Sequence, residues 1–333
     1  MSFESLSVEK WLLPNNIELH GVREGKGPTL IFIHGAMGDW RSWEPQWRAF
    51  TKHFDCISYS RRFSFPNQNH QASPHHSAID EAEDLKHLLD LLKIDRAILV
   101  GSSYGGFTAL AMALKSPNRI HSVVAIEPPM MKYAYFTEEG RNIAENFRTT
   151  TIEPANRAFK SGDDLLAAQI MTGGINGASS QVVSGVAMER RLQNLQAMKM
   201  IALSTDEFPL LRPDQLSALP MPIMLFSGLN TQPVHRVIFD NLVAAMPNAK
   251  AVRVANSGHG VSREQADFFN KSVLTFLLVS TPPPVWPGAV CGLCSNTRIS
   301  CWQKSGLNAL SYTSIKSVIG VPYVATNYYS AFL

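Results

Sequence analysis

Apolar runs alternate with helical patterns along the first part of the chain. Aliphatic and β-branched side chains, typical of buried strands, fill residues 29–33, 54–60, 96–100 and 121–126. After the second run, Ser77 can cap a helical pattern whose leucines share one face. Strands that alternate with helices in this way predict an α/β protein with a mostly parallel central sheet and helices on both faces.

The pattern changes between residues 131 and 219, where helical segments recur without apolar strands between them. The clearest helical pattern covers residues 187–200, and we expect Gly173, Gly174 and Gly177 to interrupt the other helices. Nothing in the composition of this stretch is typical of a flexible linker. The stretch is therefore predicted to be a helical cap, or lid, over the ends of the strands.

The strand pattern resumes at residues 222–226 and 249–254, with a helix expected around 235–245. The expected domains are thus a core made of residues 1–130 and 220–280, and the cap of residues 131–219 inserted into it.

Charge and hydropathy exclude several classes of protein. The formal net charge of the 333 residues is +3, and residues 1–280 carry as many acidic as basic side chains. A nucleic-acid-binding protein would show a basic surface that this balance does not supply. No run of eighteen apolar residues and no apolar leader segment is visible, and the body of the chain has a single cysteine, Cys56. We therefore expect a cytoplasmic protein that does not insert into membranes.

The last stretch, residues 281–333, differs from the rest of the chain. It begins with a threonine and three prolines and holds three cysteines, Cys291, Cys294 and Cys301, but no acidic residue or histidine. A zinc site would need a fourth ligand that this stretch lacks, so no metal is expected. We interpret it as a tail of unknown structure. The alternatives are a disordered segment, an artefact of the reading frame and an appended interaction segment.

A short motif carries the first chemical signal. The sequence Gly-Ser-Ser-Tyr-Gly at residues 101–105 matches G-x-S-x-G between a predicted strand and a predicted helix. In that context the small residues permit a sharp turn that projects Ser103 above the sheet. The helix that starts at Tyr104 would point its first backbone N–H groups toward a developing negative charge.

A serine nucleophile requires a base and an oxyanion hole. His259 lies on a loop after the last predicted strand, and the order of serine first and histidine last is the one that this motif predicts. The glycine-rich turn after the strand at residues 29–33 can aim a second N–H at the same point as Tyr104. We expect that donor to be Ala36, with Met37 as the second choice.

These features together resemble the α/β-hydrolase fold superfamily. The resemblance rests on His34-Gly35, the turn at Ser103, Ser257-Gly258-His259 and the helical insertion, and it covers most of residues 5–280. At Asp39, Trp43 and Gln46 the chain resembles the branch of esterases, lactonases and cofactor-free haloperoxidases. The tail has no counterpart in that pattern.

The acidic member of the expected triad departs from the usual pattern of this superfamily. The acid usually follows the strand that corresponds to residues 222–226, but residues 227–231 contain no carboxylate. Asn230 in that segment can accept a hydrogen bond but cannot stabilise a charged imidazole. Glu127 ends the strand after the nucleophile's helix, on the same rim of the sheet as Ser103, and we favour it. Asp240, well inside a predicted helix, is a distant third choice.

A second departure is the Arg61-Arg62 pair, where relatives often carry D-x-R-G-x-G. We expect one of these arginines to form a structural ion pair; a clamp for a substrate carboxylate is the alternative.

The resemblance implies hydrolysis of a small-molecule ester or lactone with an apolar acyl or aryl group, without a cofactor or metal. The expected catalytic residues are Ser103, His259 and Glu127, and the expected substrate-binding residues are His34, Trp40 and Met131. Four alternatives stay open: a lactonase, a carbon–carbon bond hydrolase, a cofactor-free haloperoxidase or perhydrolase, and a non-catalytic receptor for a small molecule. The oligomeric state is not predicted.

Overall fold

A single mixed sheet organises the protein. The computed structural model describes residues 3–70, 73–177 and 185–280. Over these residues the strands are β1 (Glu9–Leu12), β2 (Glu18–Gly25), β3 (Thr29–Ile33), β4 (Asp55–Tyr59), β5 (Ala97–Ser102), β6 (Ile120–Ile126), β7 (Ile223–Gly228) and β8 (Lys250–Val254). They pair in the order β1-β2-β4-β3-β5-β6-β7-β8. From β4 to β8 all neighbours are parallel, whereas β2 runs antiparallel to both β1 and β4.

The parallel strands lie where the apolar runs predict them, but the antiparallel hairpin β1–β2 was not predicted. Its strands mix charged and apolar residues because they lie at the edge of the sheet. Within β2, Leu19 and Val22 are buried while Arg23 and Glu24 are exposed. A half-solvated strand of this kind, which lies next to the edge strand β1, lacks the continuous apolar run that marks a central strand.

Helices cover both faces of the sheet. They are α1 (Glu44–Phe50), α2 (Ala78–Leu91), α3 (Tyr104–Lys115), α4 (Glu138–Phe147), α5 (Glu153–Ser161), α6 (Asp164–Asn176), α7 (Val186–Gln193), α8 (Leu195–Leu203), α9 (Pro213–Ser217), α10 (Pro233–Ala245), α11 (Val261–Glu264) and α12 (Ala266–Ser280). Ser77 caps α2 as expected, and its side chain accepts a hydrogen bond from the Ile79 N–H. No helix in the described part of the chain is both long and apolar enough to cross a bilayer.

Two apolar layers form the core, one on each face of the sheet. Side chains from α2, α3 and α10 fill the first layer, and side chains from α1 and α12 fill the second. Along β5, Leu99 belongs to the first layer, whereas Ile98 and Val100 belong to the second. Because both faces of the central strands are buried, their sequences are almost wholly apolar. The predicted α/β fold is confirmed.

The segment between β6 and β7 is helical, with α4 to α9 and a π-helical turn at Arg148–Ile152. The expectation that Gly173 and Gly174 would interrupt the helices is wrong, because both lie inside α6. A Cβ atom at Gly174 would lie 2.2 Å from side-chain atoms of Thr151, so glycine is required by close packing. Gly177 does end α6, in a left-handed conformation.

The helix predicted at residues 187–200 is two helices that meet at Asn194. Asn194 is buried, and its side chain donates to Asp39 Oδ2 at 3.0 Å and accepts from the Phe65 N–H at 2.9 Å. These bonds tie the junction of α7 and α8 to the loops that follow β3 and β4.

The predicted tail, with Cys291, Cys294 and Cys301, lies outside the described residues.

Candidate active site

Ser103 occupies a strained turn between β5 and α3. Its backbone has φ 52° and ψ −118°, a region that non-glycine residues rarely adopt, and its side chain does not cap α3. A Cβ atom at Gly101 would lie 2.1 Å from the Gly105 carbonyl oxygen, so a larger residue would disrupt the turn. The local sequence therefore supports a tight elbow that leaves the Ser103 hydroxyl available for chemistry.

The two expected oxyanion donors, Ala36 and Tyr104, line a cavity together with Ser103. Tyr104 is the first residue of α3, so its N–H has no acceptor within the helix. Ala36 follows the end of β3 and lines the same two cavities as Ser103. Met37 lines one of these cavities, and its sulfur accepts a hydrogen bond from the Thr172 hydroxyl at 3.6 Å.

His259 and Glu127 form a buried pair. His259 Nδ1 lies 2.6 Å from Glu127 Oε2, and both residues are more than nine-tenths buried. This bond directs the opposite ring nitrogen of His259 away from the carboxylate. Glu127 follows β6, and His259 follows β8, so two neighbouring regions of the same sheet edge supply the pair.

The end of β7 holds the Glu127 carboxylate. Oε1 accepts hydrogen bonds from the Ser227 hydroxyl at 2.7 Å and the Gly228 N–H at 2.9 Å, and Oε2 accepts one from the Thr231 hydroxyl at 2.8 Å. Burial alone would raise the pKa of this carboxyl group, but the hydrogen bond and charge of His259 outweigh it, and the pKa falls to about 2. The group is therefore a carboxylate at neutral pH.

The other acid candidates lie elsewhere. Asn230 is exposed, and its backbone N–H donates to the Ser257 carbonyl oxygen at 2.8 Å. Asp240 is on α10, where it forms a surface ion pair with Arg253. Neither side chain hydrogen-bonds to His259 among the residues that the structure describes.

Two cavities meet at Ser103. The first, which we call the basic cavity, has a volume of about 540 Å³, and its lining includes His259, Arg41, Arg190, Arg191 and Arg263. The second, the apolar cavity, has a volume of about 530 Å³, and its lining includes Met131, Phe147, Met171, Ile201 and Phe208. Ala36, Ser103 and Ile175 line both. A substrate whose scissile bond lies at Ser103 has room on either side of it.

Comparison with known proteins decides the family. Residues 28–264 match the sequence profile of the alpha/beta hydrolase fold. The chain belongs to this family. Among its relatives, carboxylesterase YbfK of Bacillus subtilis is 25% identical over 75% of this chain and 80% of its own length. The solved structure of that esterase superposes with a TM-score of 0.62 over 82% of this chain and 92% of its own, at 21% identity.

A second relative of this α/β-hydrolase carries a different name. The 2-hydroxy-6-oxononadienedioate/2-hydroxy-6-oxononatrienedioate hydrolase of Paraburkholderia xenovorans is 25% identical over 78% of this chain and 91% of its own length. Family and relatives together support a hydrolase that acts on small molecules.

The α/β-hydrolase places the three expected substrate-binding residues differently. Met131 lines the apolar cavity. His34 lines the basic cavity, but both ring nitrogens are occupied: Nδ1 donates to the Gly35 carbonyl oxygen at 2.7 Å, and Nε2 accepts from the Arg61 N–H at 2.9 Å. Burial and the charge of Arg61 lower the pKa of His34 to about 3, so the ring is neutral.

Trp40 does not reach either cavity in the described part of the chain. Its ring packs against Phe3 in the second apolar layer, at 5.2 Å between ring centroids. The β3–α1 loop turns this side chain toward the core and away from Ser103, so we correct its expected role to a structural one.

One histidine of the site was not anticipated. His235, on α10, stacks on the His259 ring at 4.2 Å between centroids and 20° between planes, and its Nε2 donates to the Ile175 carbonyl oxygen at 3.1 Å. Burial and the charge of His259 lower the pKa of His235 to about 3, so it is neutral. A histidine inside a helical pattern gave no signal of this contact, which the packing of α10 creates.

The same residues form the metal-capable group within the described ranges. Glu127, His235 and His259 offer ligand atoms within 4.8 Å of one another. Several of these atoms are already used, however, because His235 Nε2 donates to the Ile175 carbonyl oxygen and His259 Nδ1 is hydrogen-bonded to Glu127. The geometry fits a hydrogen-bonded relay better than a convergent metal site.

A buried charged cluster lies behind the nucleophile's helix. Arg61 donates to both oxygens of Glu81 at 2.8 Å, and its guanidinium lies 3.6 Å from the centroid of the Tyr104 ring. Arg62 pairs with Asp84 at 2.6 Å. Both arginines thus form structural ion pairs, where the sequence led us to expect one.

Glu207, another residue that the sequence did not single out, extends this cluster into the apolar cavity. It accepts a short hydrogen bond from the Tyr104 hydroxyl through Oε1, while Oε2 has no partner among the described residues. Burial raises the pKa of this carboxyl group.

Proposed function

We propose that this α/β-hydrolase cleaves a carboxylic ester with an apolar acyl or aryl group through an acyl-enzyme on Ser103. The observation that carries the proposal is the buried His259–Glu127 pair, with 2.6 Å between Nδ1 and Oε2, in a site where Ser103 lines the same cavity as His259. A serine, a histidine base and a carboxylate that fixes its tautomer are the parts that acyl transfer requires.

In the proposed reaction, the Ser103 hydroxyl attacks the ester carbonyl carbon and its proton moves to His259. The N–H groups of Ala36 and Tyr104 stabilise the oxyanion. When the tetrahedral intermediate collapses, the carbon–oxygen bond to the leaving alcohol breaks, and His259 gives that alcohol its proton. Water then attacks the acyl-enzyme with the same base, which releases the carboxylic acid and restores Ser103.

Glu127 acts through His259 in this scheme. Its carboxylate holds the Nδ1–H tautomer and stabilises the imidazolium that forms in each half-reaction. Three further donors at the end of β7 keep the carboxylate charged and fixed in place. His235 is a positioning residue that limits the rotation of the His259 ring by stacking on it.

We also propose that residues 131–219 form a cap over the site. Support comes from the cavity linings, since α6, α7 and α8 contribute Met171, Arg191 and Ile201. Because His259 lines the basic cavity and protonates the leaving group, we place the leaving alcohol there and the acyl group in the apolar cavity.

Hydrolysis of p-nitrophenyl acetate and butyrate tests the proposal. We expect Ser103→Ala to reduce kcat by at least about 10⁴-fold and Glu127→Gln by about 10³-fold, because the nucleophile or the orienting charge is lost. Asn230→Ala, which changes an exposed side chain in the neighbouring loop, serves as the matched control and should keep the wild-type rate.

Two results would contradict this assignment. A Glu127→Gln enzyme with near-normal turnover would remove Glu127 from the triad. A wild-type protein that is inert on these esters but active on lactones would change the substrate class and leave the three residues in place.

A further inference from the structure

The charges that line the two cavities are balanced differently. In the apolar cavity, Lys132 pairs with Asp206 at 2.9 Å, and Arg148 pairs with Glu145 at 2.7 Å. In the basic cavity, the basic lining residues are Arg41, Arg190, Arg191 and Arg263, and the acidic ones are Asp39 and Glu44. Asp39 is already used, because both of its carboxylate oxygens accept hydrogen bonds from Arg41.

Arg191 and Arg263 therefore face the basic cavity without an acidic partner. Arg191 lies on α7, and its Nη1 is fully enclosed with no hydrogen-bond acceptor among the described residues. Arg263 lies on α11, four residues after His259, and is exposed at the cavity. Neither guanidinium forms an ion pair with a described carboxylate, and Glu44 is exposed at the rim.

Two guanidinium groups at one cavity repel each other when neither is paired with a described carboxylate. Burial and the charge of Arg263 both lower the pKa of Arg191. An anion in the basic cavity would screen the repulsion between the two guanidinium groups. Guanidinium groups bind carboxylates through paired, charge-assisted hydrogen bonds, so a carboxylate fits this need.

We propose that Arg191 and Arg263 form a carboxylate-binding subsite for the leaving-group side of the substrate. The substrate class is thereby narrowed to esters whose alcohol or phenol portion bears a carboxylate, with an apolar acyl group. This inference rests on the proposed function, because His259, which lines the same cavity, marks the leaving-group side.

A matched pair of esters tests the subsite. 3-Acetoxybenzoate and 3-acetoxybenzamide have the same acyl group and nearly the same shape, and they differ in the charge of the leaving phenol. We expect wild-type kcat/KM to be at least about tenfold higher for the carboxylate, as one or two charge-assisted hydrogen bonds would give. In Arg191→Gln this ratio should fall to about one, and in Arg263→Gln, where the side chain is exposed, it should fall about threefold.

Arg212→Gln is the control variant. It removes the same charge from an exposed arginine that pairs with Asp214 and lines neither cavity, so the wild-type ratio should be retained. A ratio that falls equally in Arg212→Gln and Arg191→Gln would assign the preference to net charge and overturn the subsite.

Binding separates failure of the subsite from failure of the reaction. If both esters are cleaved with a wild-type ratio near one, the hydrolase stands and the subsite is wrong. If neither is cleaved, calorimetry with the products, 3-hydroxybenzoate and 3-hydroxybenzamide, decides. Tighter binding of the carboxylate that is lost in Arg191→Gln supports the subsite without the ester reaction, and equal binding of the two products overturns it.

Discussion

The basic and apolar cavities share Ala36, Ser103 and Ile175, but they differ in how their charges are satisfied. The apolar cavity pairs its lysine and arginine with acids and encloses methionine, phenylalanine and isoleucine side chains. The basic cavity leaves Arg191 and Arg263 unpaired among the described residues. In the proposed reaction, the two cavities would thus recognise opposite sides of the scissile bond by different chemistry.

Among changes that test the contrast between the two cavities, the largest expected effect comes from filling the apolar cavity. Ile201, on α8, lines it, and Ile201→Trp would occupy space needed by a long acyl chain. We expect the ratio of kcat/KM for p-nitrophenyl hexanoate to that for the acetate to fall about 100-fold, near the upper range of hydrophobic-pocket discrimination. Leu203→Trp on the same helix, at an exposed position, is the control. An unchanged ratio in Ile201→Trp would place the acyl chain elsewhere.

A smaller effect is expected at the single buried carboxylate of the apolar cavity. Tyr104→Phe removes the hydroxyl that donates to Glu207 and leaves that buried acceptor unsatisfied. Urea unfolding should show a loss of about 1–3 kcal/mol in the free energy of unfolding. In the double variant with Glu207→Gln the two losses should be less than additive; strict additivity would show that the two groups do not interact.

The smallest effect concerns pH and His235, which lines the apolar cavity and stacks on His259. The pKa of His235 is lowered to about 3 by burial and the charge of His259, whereas an unfolded histidine titrates near about 6.5. Between these values the unfolded chain binds the extra proton, so this contribution to stability is complete above pH 6.5 and is lost as the pH falls toward 3.

His235→Gln removes the side chain at which the unfolded chain binds this extra proton. The slope of the free energy of unfolding against pH should decrease by up to about 1.4 kcal/mol per pH unit between pH 6 and 4.5, measured by urea unfolding. His53→Gln changes an exposed histidine and should retain the wild-type slope. An equal slope in His235→Gln would mean that His235 is not held neutral by the fold.

The central strands and the positions of the proposed nucleophile, base and acid follow from local sequence. Strands buried on both faces are written as continuous apolar runs, and the parallel arrangement brings their ends to one edge of the sheet. Ser103, Glu127 and His259 each come directly after such a strand or its loop, so their proximity can be deduced from chain order. The edge hairpin could not be predicted from apolar runs because half of its surface is solvated.

Residues brought to the site by helix packing could not be deduced in this way. His235 meets His259 because α10 packs next to β7, and Arg191 and Arg263 line one cavity although they lie on α7 and α11. Gly174 shows the same limit, since its place inside α6 depends on the approach of Thr151. The orientation of Trp40 could not be deduced either, because the direction of a side chain in a loop depends on tertiary contacts that periodicity does not encode.

The position of Glu127 has an evolutionary consequence. Its backbone adopts φ 40°, an unfavourable conformation for a glutamate, and Ser227, Gly228 and Thr231 donate hydrogen bonds to its carboxylate. Two substitutions would be needed to move the acid to the loop after β7. If Glu127 were lost first, these three donors would lose their acceptor. If the new acid were added first, a second negative charge would lie beside the first. In the proposed triad, either single step is worse than the present arrangement, so one substitution at a time does not readily move the acid away from Glu127.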